Sequence, residues 1–266
     1  MLAMAVILLC VGAFAGVLAG LLGVGGGIIL VPAFFYVFDS MGYGGDTLMQ
    51  VCLATSLATI IVTSIRSVMA HHKKGAVEWD ILKSWAPGIA LGAVVGFFIA
   101  SSLRSDTLQL IFGGLGIAVG LYMAFGNISW RLGDVMPTGA KRALMSPFIG
   151  FLSVLMGIGG GSFGVPTMTL FNVPIHRAVA TAAGFGVIIA VPSVIGFLTV
   201  SLSDSPPYTV GAVNLPAFVM VIAMTVLTAP FGASLAHRMD PKPLKRLFGV
   251  FLILVALNML RKAIGW

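Results

Sequence analysis

Two glycine triplets, Gly25–Gly27 and Gly159–Gly161, are the residues of this chain whose spacing could do chemistry. Each is followed five residues later by a proline, Pro32 and Pro166. Consecutive glycines let a backbone leave helical geometry at little steric cost. The segments that follow, Ile28–Phe38 and Ser162–Phe171, can each restart as a short helix. The first turn of such a helix carries unpaired N–H donors and a partial positive charge. Two of these termini facing one another would hold an anion without a buried Lys or Arg. Close packing is the competing use of glycine. Gly12, Gly16 and Gly20 recur every fourth residue, as do Gly92/Gly96 and Gly116/Gly120. Those read as helix contacts built on small residues. A triplet exceeds what packing needs. A dinucleotide-binding loop is excluded, because Gly23 and Gly25 lack the third glycine at position 28 and no soluble βαβ pattern surrounds them.

Hydroxyls and two arginines complete the candidate set. Thr55, Ser56 and Thr59 lie within one apolar span, and Thr181 aligns on Thr55 in another. Each is a ligand candidate, although hydroxyls in such helices often bond only their own backbone. Ser162 and Thr167 adjoin the second triplet. Arg66 and Arg177 lie toward the basic ends of their helices, where they either reach lipid phosphate or guard an anion pathway. Asp39, Asp46, Glu78, Asp80, Asp106, Asp134, Asp204 and Asp240 all fall in or beside loops. A cation pump would want a carboxylate deep in a span. His71 and His72 have no carboxylate or thiol at metal-ligand spacing and read as solvated loop residues. Cys10 and Cys52 form no CxxC pair and read as small buried apolar residues. No metal, cofactor or acid–base constellation is expected, so an enzyme is disfavoured.

The elements that must position these residues are membrane helices. Of 266 residues, 59% are hydrophobic and only 9% charged, whereas soluble domains carry about 25% charged residues. The net charge of +7 sits in short loops, where it sets membrane orientation and calls for no nucleic acid. Spans are expected at 47–70, 84–102, 107–126, 174–200, 211–237 and 244–262. Regions 2–38 and 143–172 are apolar but interrupted by glycines. The N-terminal stretch lacks a basic leader and reads as a membrane element.

The two interrupted regions match each other. "GVLAGLLGVGGGIILVP" (Gly16–Pro32) aligns without gaps on "GFLSVLMGIGGGSFGVP" (Gly150–Pro166). Further on, "ATSLA" (Ala54–Ala58) lies on "ATAAG" (Ala180–Gly184), and "LQLIFG" (Leu108–Gly113) on "LKRLFG" (Leu244–Gly249). Three matches in the same order indicate a duplication. The chain reads as a single transmembrane domain, 1–266, with repeat one at 1–126, a connecting loop at 127–141 and repeat two at 142–266. Equivalent loops carry opposite charge bias: the 66–83 loop holds Arg66, Lys73, Lys74 and Lys83, while its partner "SLSDSPPYTVG" holds no Lys or Arg. The halves are therefore expected to be inverted, with 12 of the 15 basic residues cytoplasmic and only Arg104, Arg261 and Lys262 outside. The expected fold is an all-α polytopic membrane protein, each half having a glycine-interrupted helix, re-entrant or broken, plus three transmembrane helices.

With "GLLGVGGGIILVP" and "VLMGIGGGSFGVP" each followed by "ATSLATI" or "ATAAGFG", the chain resembles the sulfite exporter TauE/SafE family over nearly its whole length. The resemblance implies a multi-pass transporter of the bacterial inner membrane that moves small sulfur-containing oxyanions, sulfite or organosulfonates such as sulfoacetate. It carries the motifs onto Gly23–Pro32, Gly157–Pro166, Ala54–Ser56 and Ala180–Thr181, with Ala182 where the first half has Ser56. The candidate substrate-binding set is then Gly25, Gly26, Gly27, Gly159, Gly160, Gly161, Ser162, Thr55, Ser56 and Thr181, with Arg66 and Arg177 as pathway charges. Expected partners are the bilayer and a small anionic substrate, with a homodimer left open. An anion channel or passive pore, or a transporter of a non-sulfur carboxylate, is the alternative.

Overall fold

The computed structural model describes residues 2–22, 26–126, 130–202, 204–236 and 241–265. Side chains are described for all of these except 2–5, 19–22, 230, 232–236, 241, 242, 244 and 245. Gly25 and Arg238 lie outside the described residues.

Helices dominate. They are α1 (Leu2–Leu22), α2 (Gly27–Ser40), α3 (Leu48–Lys73), α4 (Trp79–Ser102), α5 (Ser105–Phe125), α6 (Gly139–Leu155), α7 (Gly161–Leu170), α8 (Ile175–Leu198), α9 (Leu215–Ala236) and α10 (Pro241–Ile264). A short antiparallel hairpin, β1 (Thr209–Val210) with β2 (Val213–Asn214), precedes α9. Among the described residues, five stretches are long and apolar enough to cross a bilayer: α3, α4, α5, α8 and Arg246–Ile264 of α10. Phe98, Ile195, Leu227 and Leu254 point outward, each more than 60% exposed. In water such a belt would aggregate, whereas acyl chains solvate it.

Several boundaries differ from the sequence expectation for local reasons. The span expected from 211 begins only at Leu215, because Gly211 (φ 59°) turns the hairpin and the Asn214 side chain caps the Ala217 N–H. His71 and His72 belong to the last turn of α3 and not to a loop, and His72 accepts a bond from Trp79 Nε1 at 3.2 Å. Cys52 is buried as expected, but Cys10 is exposed on the outer face of α1. Pro32 and Pro166 sit inside α2 and α7 and do not end them.

Helix packing crosses between the halves. α1 lies lengthwise on α9 and only touches α2, and α6 lies likewise on α4. Glycines set both contacts. Gly12 meets Val221 and Gly16 meets Thr225, so α1 and α9 run parallel; Gly88 and Gly92 meet Pro147 while Gly96 meets Phe151, so α4 and α6 run parallel too. α5 and α10 run antiparallel, with Gly113 against Leu260 and Gly120 against Gly249 and Ile253. Small residues allow this approach, which replaces the missing hydrophobic driving force in lipid with contact and dispersion.

A Cβ at Gly92 would fall 1.8 Å from Pro147 O, and at Gly150 2.1 Å from Ile89 O. Gly92→Ala and Gly150→Ala should each destabilise the detergent-solubilised protein by at least about 1–3 kcal/mol, the usual cost of overpacking, read as a lower melting temperature. Gly114, inside α5 with nothing within 4 Å of its Cβ position, is the contrast: Gly114→Ala should keep or raise the melting temperature.

Candidate functional site

The second glycine segment is the more completely described. α6 ends at Leu155 in a Schellman motif: Gly157 (φ 61°) donates to Val154 O at 2.9 Å and Ile158 to Ser153 O at 2.9 Å. This satisfies carbonyls that lipid could not. The chain then passes Gly159 and Gly160 and restarts as α7, where Gly164 N bonds Gly160 O at 2.8 Å. The first-turn N–H groups of Gly161, Ser162 and Phe163 precede any intrahelical acceptor. In the first half Gly26 adopts φ 74° as the cap of α2, and its carbonyl takes both Ile29 N–H (3.0 Å) and Leu30 N–H (3.2 Å). Gly27 and Ile28 are left as the leading donors. Pro32 and Pro166 remove the N–H groups that would otherwise bond the Ile28 and Ser162 carbonyls one turn back.

The start of α2 is brought against the turn that leads from α6 into α7. A Cβ on Gly27 would come 2.8 Å from Gly157 O and 2.9 Å from Ile158 Cα and Ile60 Cδ1. Gly157 packs on Leu53 and Val31, and Gly160 on Ala182 O, Phe185 and Gly186 of α8. The site is therefore clamped between the middles of α3 and α8. Gly26, Gly27 and Ile158 to Ser162 are all buried. Among the described residues no charged side chain is buried anywhere. The site's polarity comes from backbone and hydroxyls alone.

The hydroxyls divide by partner. Ser56 donates to Gly157 O at 2.7 Å and so holds the second break in place. Thr59 bonds back to Ser56 O at 2.6 Å, and Thr167 to Phe163 O at 2.7 Å. Thr55 and Thr181 play matching parts: Thr55 Oγ1 accepts Asn214 N–H at 3.0 Å, and Thr181 Oγ1 accepts Glu78 N–H at 2.9 Å. Each satisfies the amide at the start of a long helix in the opposite half. Ser162 alone among the candidates is buried, 5% exposed, with its hydroxyl unpartnered. Its repeat equivalent is Ile28, so the donor is one-sided.

Neither arginine reaches the glycine segments. Arg66 is exposed beyond the middle of α3, and Arg177 is exposed at the start of α8, paired with Glu78. Sequence reasoning missed Asn214, Ser153, Gln50 and Gln109. Asn214 has a structural task, its amide donating to Pro207 O and Thr209 Oγ1. Ser153 Oγ, Gln50 Oε1 and Gln109 Oε1 are buried without partners, a condition no local sequence pattern announces.

Comparison with known proteins covers nearly the whole chain. The model of the family described as sulfite exporter TauE/SafE matches residues 8–259. A probable membrane transporter protein of Haemophilus influenzae is 33% identical over 260 residues, 96% of this chain and 98% of the relative. A probable membrane transporter protein of Methanocaldococcus jannaschii is 27% identical over 96% of this chain and 94% of its own length. For a third, YunE of Bacillus subtilis, also named a probable membrane transporter protein, the identity is 26% over 97% of this chain and 98% of the relative. No solved structure matches the chain.

Thr55→Val should destabilise the protein by about 1–3 kcal/mol, the cost of a buried donor left unpaired, and Thr181→Val by less, since the Glu78 amide it serves is only part-buried. Serine at either position keeps the oxygen and should recover most of the loss. Thermal unfolding in detergent reads both.

Proposed function

Because the chain belongs to the sulfite exporter TauE/SafE family of membrane transporters, we propose that it carries a small sulfur-containing oxyanion, sulfite or an organosulfonate such as sulfoacetate, outward across the bacterial inner membrane. Transport runs by alternating access around the paired glycine segments of an inverted repeat. The observation that carries the reading is Ser162. Its hydroxyl is buried and unpartnered at the start of α7, beside first-turn amides that need acceptors. A tetrahedral or pyramidal oxyanion supplies several acceptors at once, and the helix terminus favours its charge. The absence of a buried cation among the described residues keeps such binding weak enough for release.

The packing supports the inversion. α5 and α10 are equivalent in the repeat and lie antiparallel, as a twofold axis in the membrane plane requires. The exchange of α1 onto α9 and α6 onto α4 obeys the same axis. Charge supports the direction. Asp106 and Gln109 near the start of α5 align with Lys242 and Lys245 near the start of α10. The expected cytoplasmic segments hold 12 of the 15 basic residues, an excess that favours capture of an anion from within.

Ser162→Ala should weaken binding of sulfite or sulfoacetate to the purified protein by about tenfold or more, as expected for a donor lost from a charged ligand, without lowering the melting temperature. Unchanged affinity for both anions would remove Ser162 from the site. In liposomes the wild-type protein should show saturable counterflow of the same anion, which a passive pore cannot give.

A further inference from the structure

α2 carries two features at opposite ends. Its N-terminus holds the open amides beside Gly26, and its C-terminus, at Ser40, lies at the face assigned as outer. There it is tied to the last turns of α10 by polar and aromatic contacts. Lys262 Nζ pairs with Asp39 Oδ2 and sits 5.1 Å from the Phe35 ring centroid and 5.8 Å from that of Tyr36. Asn258 Nδ2 donates to the Tyr36 hydroxyl at 2.7 Å. Asn258 and Lys262 are four residues apart and so share one helix face. α10 packs mainly along α5 and touches α2 only slightly.

Beside the cluster lies an open depression of about 210 Å³ whose lining includes Phe35, Asp39, Asp46, Leu48, Gln109 and Lys262. The ion pair is partly exposed, with Lys262 at 40% and Asp39 at 33%. Pairs of that kind contribute little and break readily. The repeat-related positions differ in residue type: Phe35, Tyr36 and Asp39 align on Thr169, Leu170 and Val173, and Asn258 and Lys262 on Tyr122 and Gly126, so the Lys–Asp pair is not repeated in the sequence. The device is one-sided.

The geometry points to Lys262 as a positioning residue: with Asp39, Tyr36 and Asn258 it latches the outer end of α2 beside the depression, and release of that latch lets α2 swing about Gly26 to open the outer side. This inference rests on α2 being a moving element of the proposed transporter. Its test needs no substrate.

Cys52 is the reporter. It lies one turn deeper on α3 than Leu48, which lines the depression, and it is fully buried. In Cys10→Ser protein, a charged membrane-impermeant methanethiosulfonate added outside should label Cys52 slowly. Lys262→Met and Asp39→Asn should each speed labelling about threefold to fivefold, the scale of population shift that a partly exposed ion pair supports. Lys262→Arg and the charge swap Asp39→Lys with Lys262→Asp should restore slow labelling, which a merely loosened fold would not do. Unchanged rates in both single variants, or a charge swap that stays fast, would each overturn the latch. Absent counterflow with the expected labelling pattern would instead reject transport while leaving the latch standing.

Discussion

The bond from Ser56 to the Gly157 carbonyl, with Gly27 pressed against the same peptide, is the constraint on which the rest of the structure turns. In hydrocarbon no water satisfies a backbone that leaves its helix, so every break must find partners within the protein. The Schellman turn after α6 and the Gly26 cap of α2 settle most of those groups locally. Ser56 settles one that local geometry cannot. The neighbours are shaped accordingly: α3 brings Ser56 to the Gly157 carbonyl, and α8 lays Ala182, Phe185 and Gly186 against Gly160, where a Cβ would fall 2.3 Å from the Phe185 Cβ.

Because the breaks meet across the two halves, neither half completes its own core. α1 finds its groove on α9 and α6 finds its groove on α4. Thr55 and Thr181 repeat the exchange at the level of single hydrogen bonds, each serving an amide of the opposite half. A duplicated chain joined this way is cooperative as a fold. It can still rearrange, since the polar contacts that fasten the short helices at their ends are few and partly exposed.

Function enters where the duplication has decayed. Ser162 faces Ile28 in the alignment, Ser56 faces Ala182, and the Lys262–Asp39 pair is not repeated in the sequence. In the proposed transporter, symmetry would supply two ways of reaching a central site, and these departures from it would supply the donor for the ligand and the latch on one side.

Much of this was legible in the amino-acid order. Composition required a bilayer, the repeated "GVGGGIILVP" and "GIGGGSFGVP" pointed to a duplication, and four-residue glycine spacing marked the surfaces that pack on α9, α6 and α10. These are readable because they follow from local chemistry: hydropathy selects the solvent, and a missing Cβ admits a neighbour. What the tertiary structure alone decided is which groups become partners. Sequence could mark Thr55, Ser56 and Thr181 as polar in an apolar span, but not that they serve Asn214, Gly157 and Glu78. It could not pair Asp39 with Lys262, more than 200 residues away, or leave Ser162 as the hydroxyl with nothing to bond. Hydrogen-bond satisfaction is a property of which surfaces meet, and that is fixed only when all the helices are packed.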